Sequence, residues 1–539
     1  MSIDIKENKS SSKSRYRPEI DGLRAFAVVA VIINHFNKVI LPGGYLGVDI
    51  FFVISGFVIT SSLYQRPSKN FKDFISGFYE RRIKRLVPAL SVFVLIMSIA
   101  ICLFNPNPSL FLRTGITSLF GLSNIYLFKK STDYFAQSTE LNVFTHTWSL
   151  GVEEQFYILF PFLIWFSGFG RQTKNGVRNL FLIIGTLAIT SLIGFIYLYP
   201  INQPAAYFLM PTRFWEMASG CLLFIGLQKW KSIKQFLEKF PPLFVMILII
   251  GIMYLPTALA TTSTVLVVVL SLVLIACLKK GTASYAFFTN SKVVYIGLIS
   301  YSLYLWHWGV LAISRWTIGV HWWSVPFQVA LMLGLAICSY RYIETQLRKG
   351  NWFGKRWKNL AIGGGAIITL SGGLSALDIP LKGQLYIGKK INHTIPNFLR
   401  GDECLENMSE STKCYLIENI SKQTLWILGD SQTQFLALAG EKVANSLEMN
   451  LKLYSILSTP FPSFNHYRKS KILKNVENLD DLEFLERELY KKIKVGDIIL
   501  LTLRNPYHFG GEYYKSSDSF IRKDGTRTSH EDYFNAWIS

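Results

Sequence analysis

Long apolar segments follow one another along the first two thirds of the chain, separated by short polar loops. A helix needs roughly 20 residues to cross the hydrocarbon core of a bilayer. Eleven segments fit that requirement: 22–39, 45–64, 87–105, 148–167, 178–199, 213–228, 242–257, 262–278, 293–313, 324–343 and 359–377. The stretch 109–128 is interrupted by Arg113 and by glycines, so we predict a re-entrant or interfacial helix there. The pattern predicts an α-helical polytopic membrane protein with about eleven transmembrane helices.

After residue 380 the apolar runs become short and alternate with amphipathic stretches. Three runs are typical of buried strands and two stretches of helices: TLWILG, LKLYSIL and DIILLTL, and TQFLALAGEKVANSL and LDDLEFLERELYKKI. Strands that alternate with helices predict a parallel sheet in an α/β domain. Cys404 and Cys414 precede this region, where either a local disulfide or two free thiols would fit.

Composition and charge agree with a membrane protein. Hydrophobic residues make up 50% of the chain and charged residues only 17%, which is too few charges for an ordinary soluble protein of this length. The net charge of +21 could suggest nucleic acid, but the basic residues cluster in loops. The predicted inner segments hold 27 Lys and Arg, and the short outer segments hold 4. Under the positive-inside rule the N-terminus is inside and the C-terminal domain outside.

These orientations define the predicted domains. Residues 1–21 form a cytoplasmic tail, 22–343 a membrane domain of ten spans, and 359–377 the eleventh span. An extracytoplasmic linker, 378–423, leads to a domain at 424–539. The expected location is the inner membrane of a bacterial cell.

Ionisable residues inside predicted spans fall into two layers, and each is a functional hypothesis because burying it in lipid is costly. The outer layer contains His35, Asp49, Glu153, Glu154, Arg213, Glu216 and His307. The inner layer contains Arg24, Arg82 and Arg85, the last two within the basic run that leads into the third span. The outer layer suggests one reaction site, and the inner layer a cationic entrance.

Arg24 and His35 are eleven residues apart, about 16 Å along one helix. Acyl-coenzyme A could contact both, because arginines bind phosphates and a long pantetheine arm could carry the thioester toward His35. A histidine can remove the proton of an acceptor hydroxyl, and Asp49 or Glu153 could orient it. The residues therefore suggest acyl transfer from an inside donor to an outside acceptor.

Structural roles for the same residues stay open. His35 could be a structural histidine, Arg82 and Arg85 could be ordinary positive-inside anchors, and His307 could belong to an aromatic belt between its two tryptophans. Arg213 and Glu216, three residues apart on a helix, could pair only with each other.

Several motifs in order across residues 16–345 resemble the bacterial membrane acyltransferases called acyltransferase family 3, which includes O-antigen and peptidoglycan O-acetyltransferases. The matching stretches are YRPEIDGLRAFAVVAVIINH, GGYLGVDIFFVISGFVIT, FYERRIKRLVPAL, THTWSLGVEEQFYILFP, RFWEMASG and ISYSLYLWHWGV. The resemblance implies that Arg24 and His35 are the family's Arg/His pair, that Arg82 and Arg85 form its donor element, and that Glu153 is its motif glutamate.

The C-terminal domain resembles SGNH hydrolases, which some members of this family carry. Asp430 and Ser431 follow the strand TLWILG as a GDS block, and Asn505 could supply the oxyanion position that the resemblance implies. SGNH domains end in a DxxH segment that activates the serine, and none follows Ser431. We therefore expect an incomplete SGNH-like domain.

The sequence as a whole predicts a membrane O-acyltransferase. The expected donor is acetyl-CoA, the expected acceptor is a lipid-linked or surface polysaccharide such as lipopolysaccharide O-antigen, and no bound cofactor, metal or nucleic acid is expected. A transporter is one alternative, although it should show inverted-repeat halves. A non-catalytic envelope assembly protein is the other.

Overall fold

The structure is a computed structural model of the 539-residue chain. It describes residues 16–66, 68, 70–130, 140–349, 356–388, 399–400, 412–417, 423–429, 436–456, 468–469, 492–494, 497–502, 520–521 and 527–528. The chain divides into two compact units, residues 1–390 and 391–539.

The described part of the first unit is a bundle of α-helices joined by short loops. The helices are α1 (Pro18–Phe36), α2 (Gly47–Tyr64), α3 (Phe71–Phe104), α4 (Ser109–Leu119), α5 (Ser123–Lys129), α6 (Trp148–Phe166), α7 (Gly176–Leu198), α8 (Gln203–Phe208), α9 (Met210–Lys229), α10 (Lys231–Leu237), α11 (Pro242–Ile252), α12 (Ala260–Cys277), α13 (Ala283–Phe288), α14 (Ser291–Leu298), α15 (Ser300–Trp316), α16 (Val325–Cys338), α17 (Thr345–Lys349) and α18 (Arg356–Asp378). Short 3₁₀ turns precede α2, α6 and α12, and a π-helical turn, Ser339–Glu344, joins α16 to α17.

Among the described residues, six helical segments are long and apolar enough to cross a membrane: Gly44–Tyr64, Phe71–Phe104, Gly176–Leu198, Thr257–Cys277, Val325–Arg348 and Arg356–Asp378. The pairs α10 with α11 and α14 with α15, bent by 71° and 69°, would add one span each. Helices α1, α6 and α9 have 19, 19 and 20 residues but carry the charged side chains of the site. The multi-pass helical architecture is confirmed, and the number of eleven crossings stays a prediction.

The interrupted stretch 109–128 forms two short helices rather than one long one. Helix α4 has 11 residues and α5 has 7, and Gly121 between them has a φ of +66°. A side chain is rarely tolerated at that φ, so glycine permits the turn. Neither helix is long enough to cross a bilayer.

Helices α2 and α9 touch through their backbones. A Cβ atom at Gly56 would lie 1.9 Å from the carbonyl oxygen of Met217, and one at Gly220 would lie 2.0 Å from that of Val53. Only glycine allows this approach, as in other closely packed membrane helices. The contact fixes the register of α2 against α9 and so places the charged first turns of the two helices side by side.

Helix α18, the predicted eleventh span, is joined to the bundle by ion pairs near both ends. Arg356 pairs with Asp73 and, at 3.5 Å, with Glu80 of α3. At the other end Arg113 Nε of α4 lies 2.8 Å from Asp378 Oδ2. The helix therefore packs against α3, the helix that also carries the basic run of the predicted entrance.

The described part of the second unit contains a five-stranded sheet. Its strands are β1 (Leu399–Arg400), β2 (Thr412–Ile417), β3 (Thr424–Gly429), β4 (Asn450–Ile456) and β6 (Ile498–Thr502), in the order β1-β2-β4-β3-β6. Strand β3 is parallel to both β4 and β6, which confirms the three predicted strands and their parallel pairing. Strands β1 and β2 add an antiparallel edge. Helix α19 (Ala437–Ser446) follows β3, and β5 (Arg468–Lys469), β7 (Phe520–Ile521) and β8 (Arg527–Thr528) form a small second sheet.

The start of the parallel sheet is fixed by one carboxylate. Asp497, directly before β6, accepts a hydrogen bond from the Thr424 backbone N–H at 2.8 Å and from Trp426 Nε1 at 3.0 Å. These bonds join the first residues of β3 and β6, so they set the parallel register. Cys414 on β2 is disulfide-bonded. Its partner, like the predicted helix LDDLEFLERELYKKI apart from its last two residues, lies outside the described residues.

Candidate functional site

Two adjoining cavities lie among the helices of the first unit. The narrow cavity, about 80 Å³, is lined by Arg24, Val48, Phe51, Phe52, Ser55, Val58, Arg82, Arg85, Leu86, Ser149, Leu150, Glu153, Tyr157, Ser300, Tyr301 and Tyr304. The wide cavity, about 1120 Å³, is lined mainly by polar residues, eight of them Lys or Arg. Arg24, Val58 and Arg85 line both cavities. Two of the predicted entrance arginines, Arg24 and Arg85, therefore lie where the two cavities meet, and Arg82 lines the narrow cavity.

Helix periodicity explains the walls of the narrow cavity. Residues three or four apart share one face of a helix, and Ser149, Glu153 and Tyr157 are spaced in this way along α6. On α15, Ser300 and Tyr304 line the cavity. The next turn of the same face carries His307, so α15 leads from the cavity to the predicted reaction site.

Specific partners hold two of the three entrance arginines. Arg24 Nη1 lies 2.8 Å from Asp21 Oδ1, one turn earlier on α1. The Arg82 guanidinium lies over the Tyr157 ring, 4.4 Å from its centroid, in a cation–π contact. Arg85 lines the junction of both cavities. The structure thus brings Arg24, Arg82 and Arg85 to one polar passage.

Three histidines and two aromatic side chains form a buried group, which we call the histidine cluster: His35, His146, His307, Trp308 and Tyr304. The His35 Nδ1 and His307 Nε2 atoms are 3.0 Å apart. The Trp308 ring meets the His35 ring edge-on at 4.6 Å between centroids, and the His146 ring lies 5.8 Å from that of His307. The ring centroids of Tyr304 and His307 are 5.3 Å apart. Tyr304 also lines the narrow cavity, so it belongs to both the cavity and the histidine cluster.

The partners of His307 assign the tautomer of His35. His307 Nδ1 lies 3.2 Å from the Leu303 carbonyl oxygen, which can only accept a hydrogen bond, so Nδ1 carries the proton. In neutral His307 the Nε2 atom is then an acceptor. His35 must donate from Nδ1, which leaves the lone pair of its ring on Nε2. The geometry thus makes Nε2 the basic nitrogen of His35.

An ionic group ties the end of α1 to the end of α15 beside the histidine cluster. Arg315 Nη2 donates to the main-chain oxygen of His35 at 2.9 Å. Glu140 binds both Arg315, at 3.3 Å, and Lys38, at 2.7 Å. Arg315 also lies 5.7 Å from the Trp308 ring centroid. These contacts hold the backbone of His35 in place.

Asp49 does not serve the role that the sequence suggested for it. Arg213 Nη1 lies 2.8 Å from Asp49 Oδ1 and 2.7 Å from Glu216 Oε1, and all three side chains are buried. The arginine is also surrounded by the rings of Tyr207, Trp148 and Phe195. The α2–α9 backbone contact brings these groups together, so Asp49 orients Arg213 rather than His35.

Replacing Arg213 with leucine should destabilise the folded protein strongly. The change leaves Asp49 and Glu216 buried without their cation, and breaking a buried ion pair on one side costs about 3–5 kcal/mol. The expected result is a lower thermal unfolding midpoint of the purified protein in detergent. Arg178→Leu, at an exposed position of α7, is the matched control. Equal unfolding midpoints for both variants would contradict a stabilising role of the ion pairs that Arg213 makes with Asp49 and Glu216.

Glu153 and Glu154 are adjacent in sequence but face different surroundings. Glu153 accepts hydrogen bonds from Ser55 Oγ and Tyr157 Oη, and it lines the narrow cavity. Its described hydrogen bonds therefore place it with the arginines rather than with His35, contrary to the expectation that it orients the histidine. Glu154 packs over Gly121, where a Cβ would lie 2.4 Å from Glu154 Oε2. The described structure gives neither carboxylate a hydrogen bond to His35.

The predicted site of the second unit is not described. Asp430, Ser431 and Asn505 lie outside the described residues, although β3 ends at Gly429, directly before Asp430 and Ser431. The roles proposed for these three residues stay predictions. Within the described part of the chain, no three His, Cys, Asp or Glu side chains are arranged to hold a metal ion.

Sequence reasoning missed several members of the site. His146 lies in the 3₁₀ turn before α6, outside the predicted span, so a search for charges inside spans passed over it. Ser55, Tyr157 and Tyr304 are uncharged, so a search for charged residues inside predicted spans does not find them. Tyr157 lies four residues from Glu153 on α6, and Tyr304 lies three residues from His307 on α15, so helix periodicity is the sequence signal for these two.

These features define a multi-pass membrane protein with a buried histidine pair, His35 and His307, and a cationic passage whose lining residue Tyr304 contacts His307. The family model described as "Acyltransferase domain" matches residues 17–341. The chain belongs to this family, and the matched region contains Arg24, Arg82, Arg85 and the whole histidine cluster.

Curated relatives agree with this assignment. The chain is similar to O-acetyltransferase OatA of Staphylococcus aureus strain NCTC 8325 / PS 47, with 32% identity over 368 residues. The same protein of strain N315 gives the same identity over the same length. In both cases the alignment covers 64% of this chain and 59% of the relative, so it spans less than two thirds of these relatives. No solved structure matches the chain.

Proposed function

We propose that this protein is a membrane O-acetyltransferase that moves an acetyl group from acetyl-CoA to a hydroxyl of a cell-envelope polysaccharide. The observation that supports this most strongly is the pair of adjoining cavities. They lead from Arg24 and Arg85 to Tyr304, whose ring lies 5.3 Å from that of His307. In this proposal a charged donor head would lie at the arginine end of the passage, and the reactive base would lie beyond Tyr304 at the other end. The names of the curated relatives support acetyl as the group transferred.

The donor would place its phosphates at the junction of the cavities and its pantetheine arm in the narrow cavity. Guanidinium groups bind phosphate oxygens through paired donors, and Arg24 and Arg85 line that junction. The narrow cavity is lined by the polar side chains of Ser55, Ser149 and Tyr301. These can hydrogen-bond the amides of the pantetheine arm.

His35 would act as the general base. Its Nε2 atom takes the proton of the acceptor hydroxyl while the hydroxyl oxygen bonds to the acetyl carbonyl carbon. The thioester C–S bond breaks, and CoA leaves as a thiolate that receives the proton from His35. Throughout the reaction, His307 Nε2 would accept a hydrogen bond from His35 Nδ1. This bond would hold the His35 ring so that its basic Nε2 atom points away from His307.

Orientation and acceptor complete the proposal. The charge bias of the loops supports an inner-membrane protein with its N-terminus and the arginines on the cytoplasmic side and its second unit outside. Acetyl-CoA is a cytoplasmic metabolite, which fits this orientation. The acceptor would be a lipid-linked or surface glycan such as lipopolysaccharide O-antigen. The SGNH-like second unit would meet that glycan, and the transfer would depend on His35 rather than on Ser431.

The proposal predicts acetyl esters on envelope polysaccharide that depend on this protein. Mass spectrometry of polysaccharide from cells with and without the gene should show a mass difference of one acetyl group per modified sugar. Mild alkali should remove the difference, because it cleaves esters. Identical spectra from both strains would reject the proposed acceptor class.

His307 is a positioning residue in this account, and its substitution should separate two kinetic parameters. His307→Ala removes the acceptor at His35 Nδ1, so kcat should fall about 10- to 100-fold, as for the loss of other partners that orient a functional imidazole. The KM for acetyl-CoA should not change. His307→Gln keeps an acceptor oxygen and should recover part of the rate. A raised KM with an unchanged kcat would contradict the positioning role.

A further inference from the structure

Three lysines from two separate parts of the chain meet on one side of the wide cavity. Lys234 lies on α10, and Lys279 and Lys280 follow the end of α12. Lys234 Nζ is 3.8 Å from Glu238 Oε1, and Lys279 Nζ donates to the Glu238 main-chain oxygen at 3.3 Å. We call Lys234, Lys279 and Lys280 the lysine wall. All three residues line the wide cavity.

The charges of the lysine wall are only partly compensated. Among the described residues, the acidic side chains that line the wide cavity are Glu19, Asp21 and Glu238. Glu19 pairs with Arg17 at 2.7 Å and Asp21 with Arg24 at 2.8 Å. Glu238 is thus the cavity acid beside the three lysines, which leaves a local excess of about two positive charges. A phosphate monoester carries about −1.5 to −2 at neutral pH, so it would balance this excess.

Aromatic side chains also line the wide cavity. Phe57 and Phe224 both line it, with ring centroids 5.6 Å apart, and Tyr285 lines it from α13. Ring faces of this kind can pack against a purine base. The wide cavity therefore offers an apolar surface for a base as well as cations for a phosphate.

We propose that the lysine wall binds the 3′-phosphate of the acyl-CoA donor, with the adenine against the aromatic lining. This inference rests on the proposed donor function. The pantetheine arm must enter the narrow cavity, so the adjoining pyrophosphate lies at Arg24 and Arg85. The ribose 3′-phosphate is at the far end of CoA and must occupy the wide cavity, where flexible ammonium groups can reach a monoester.

Binding of acetyl-CoA and of acetyl-3′-dephospho-CoA to the full-length protein in nanodiscs tests the inference. The wild type should bind acetyl-CoA at least tenfold more tightly than the dephospho form. In the double variant Lys279→Gln/Lys280→Gln, the affinity for acetyl-CoA should fall about tenfold and that for the dephospho form should not change. The matched control is Lys231→Gln/Lys292→Gln, at two exposed lysines that do not line the wide cavity.

The outcomes separate this inference from the proposed function. Equal wild-type affinity for the two donors would overturn the lysine wall as a 3′-phosphate site and leave the donor function intact. A double variant that weakens both donors equally would also overturn it, because the lysines would then not distinguish the phosphate. Failure of the wild type to bind either donor would overturn both proposals.

Discussion

Replacing His35 with alanine is expected to lower the rate of acetyl transfer by about 10²- to 10⁴-fold, the range that a positioned general base contributes. The side chain is buried within the histidine cluster and bonded to His307 at 3.0 Å. Acetyl transfer by purified protein in nanodiscs should be measured with radiolabelled acetyl-CoA and de-O-acetylated envelope polysaccharide. Donor affinity should stay within a few-fold of the wild type, because His35 lies beyond the arginine passage.

His321→Ala is the matched control for this prediction. His321 lies in the exposed loop between α15 and α16 and stacks on Trp323 at 5.9 Å, away from the histidine cluster. This control variant should transfer acetyl groups at the wild-type rate. A His35→Ala protein that is folded and retains more than a tenth of wild-type activity would exclude an essential base at this position.

Replacing Arg82 and Arg85 together with alanine is expected to weaken acetyl-CoA binding by at least 100-fold. A hydrogen bond to a charged group contributes about 1.5–3 kcal/mol, and both side chains line the narrow cavity. Isothermal titration of the purified variant in nanodiscs measures the effect. High salt should also weaken the binding of acetyl-CoA to the wild-type protein, because screening reduces the attraction between opposite charges.

The control for the Arg82/Arg85 variant also removes two positive charges, so the two variants have the same net charge. Lys174→Ala/Arg178→Ala removes two cations from an exposed region before and within α7, and neither residue lines a cavity. Its donor affinity should equal that of the wild type. Unchanged affinity in the Arg82/Arg85 variant would return those two residues to the role of positive-inside anchors.

The sequence predicts the helices of the first unit well because long apolar runs follow from the thickness of a bilayer. The sequence also predicts that Arg24 and His35 lie at different depths in the membrane, because eleven residues of one helix separate them. It cannot predict that His35 meets His307, because the two lie 272 positions apart on helices whose packing depends on every intervening element. From the sequence alone, a histidine between two tryptophans such as His307 is compatible with an aromatic belt as well as with a reaction site.

The roles of the carboxylates show the same limit. Similar depth suggested that Asp49 serves His35, yet depth says nothing about which side of a helix faces which neighbour. The direct backbone contact at Gly56 and Gly220 turns Asp49 toward Arg213 instead. In the second unit, apolar runs predicted β3, β4 and β6, whereas the antiparallel edge strand β2 precedes the alternation of strands and helices and is not part of the predicted parallel sheet.

Oriented proteoliposomes provide the most direct test of the central claim, that a donor bound at the arginine passage supplies acetyl groups to an acceptor at the opposite face. Radiolabelled acetyl-CoA is supplied only on the face that carries Arg82 and Arg85, and de-O-acetylated envelope polysaccharide only on the other face. The account predicts alkali-labile label on the polysaccharide in this arrangement, and none with His35→Ala or with the two substrates exchanged. Equal labelling from either face, or labelling only after the exchange, would contradict it.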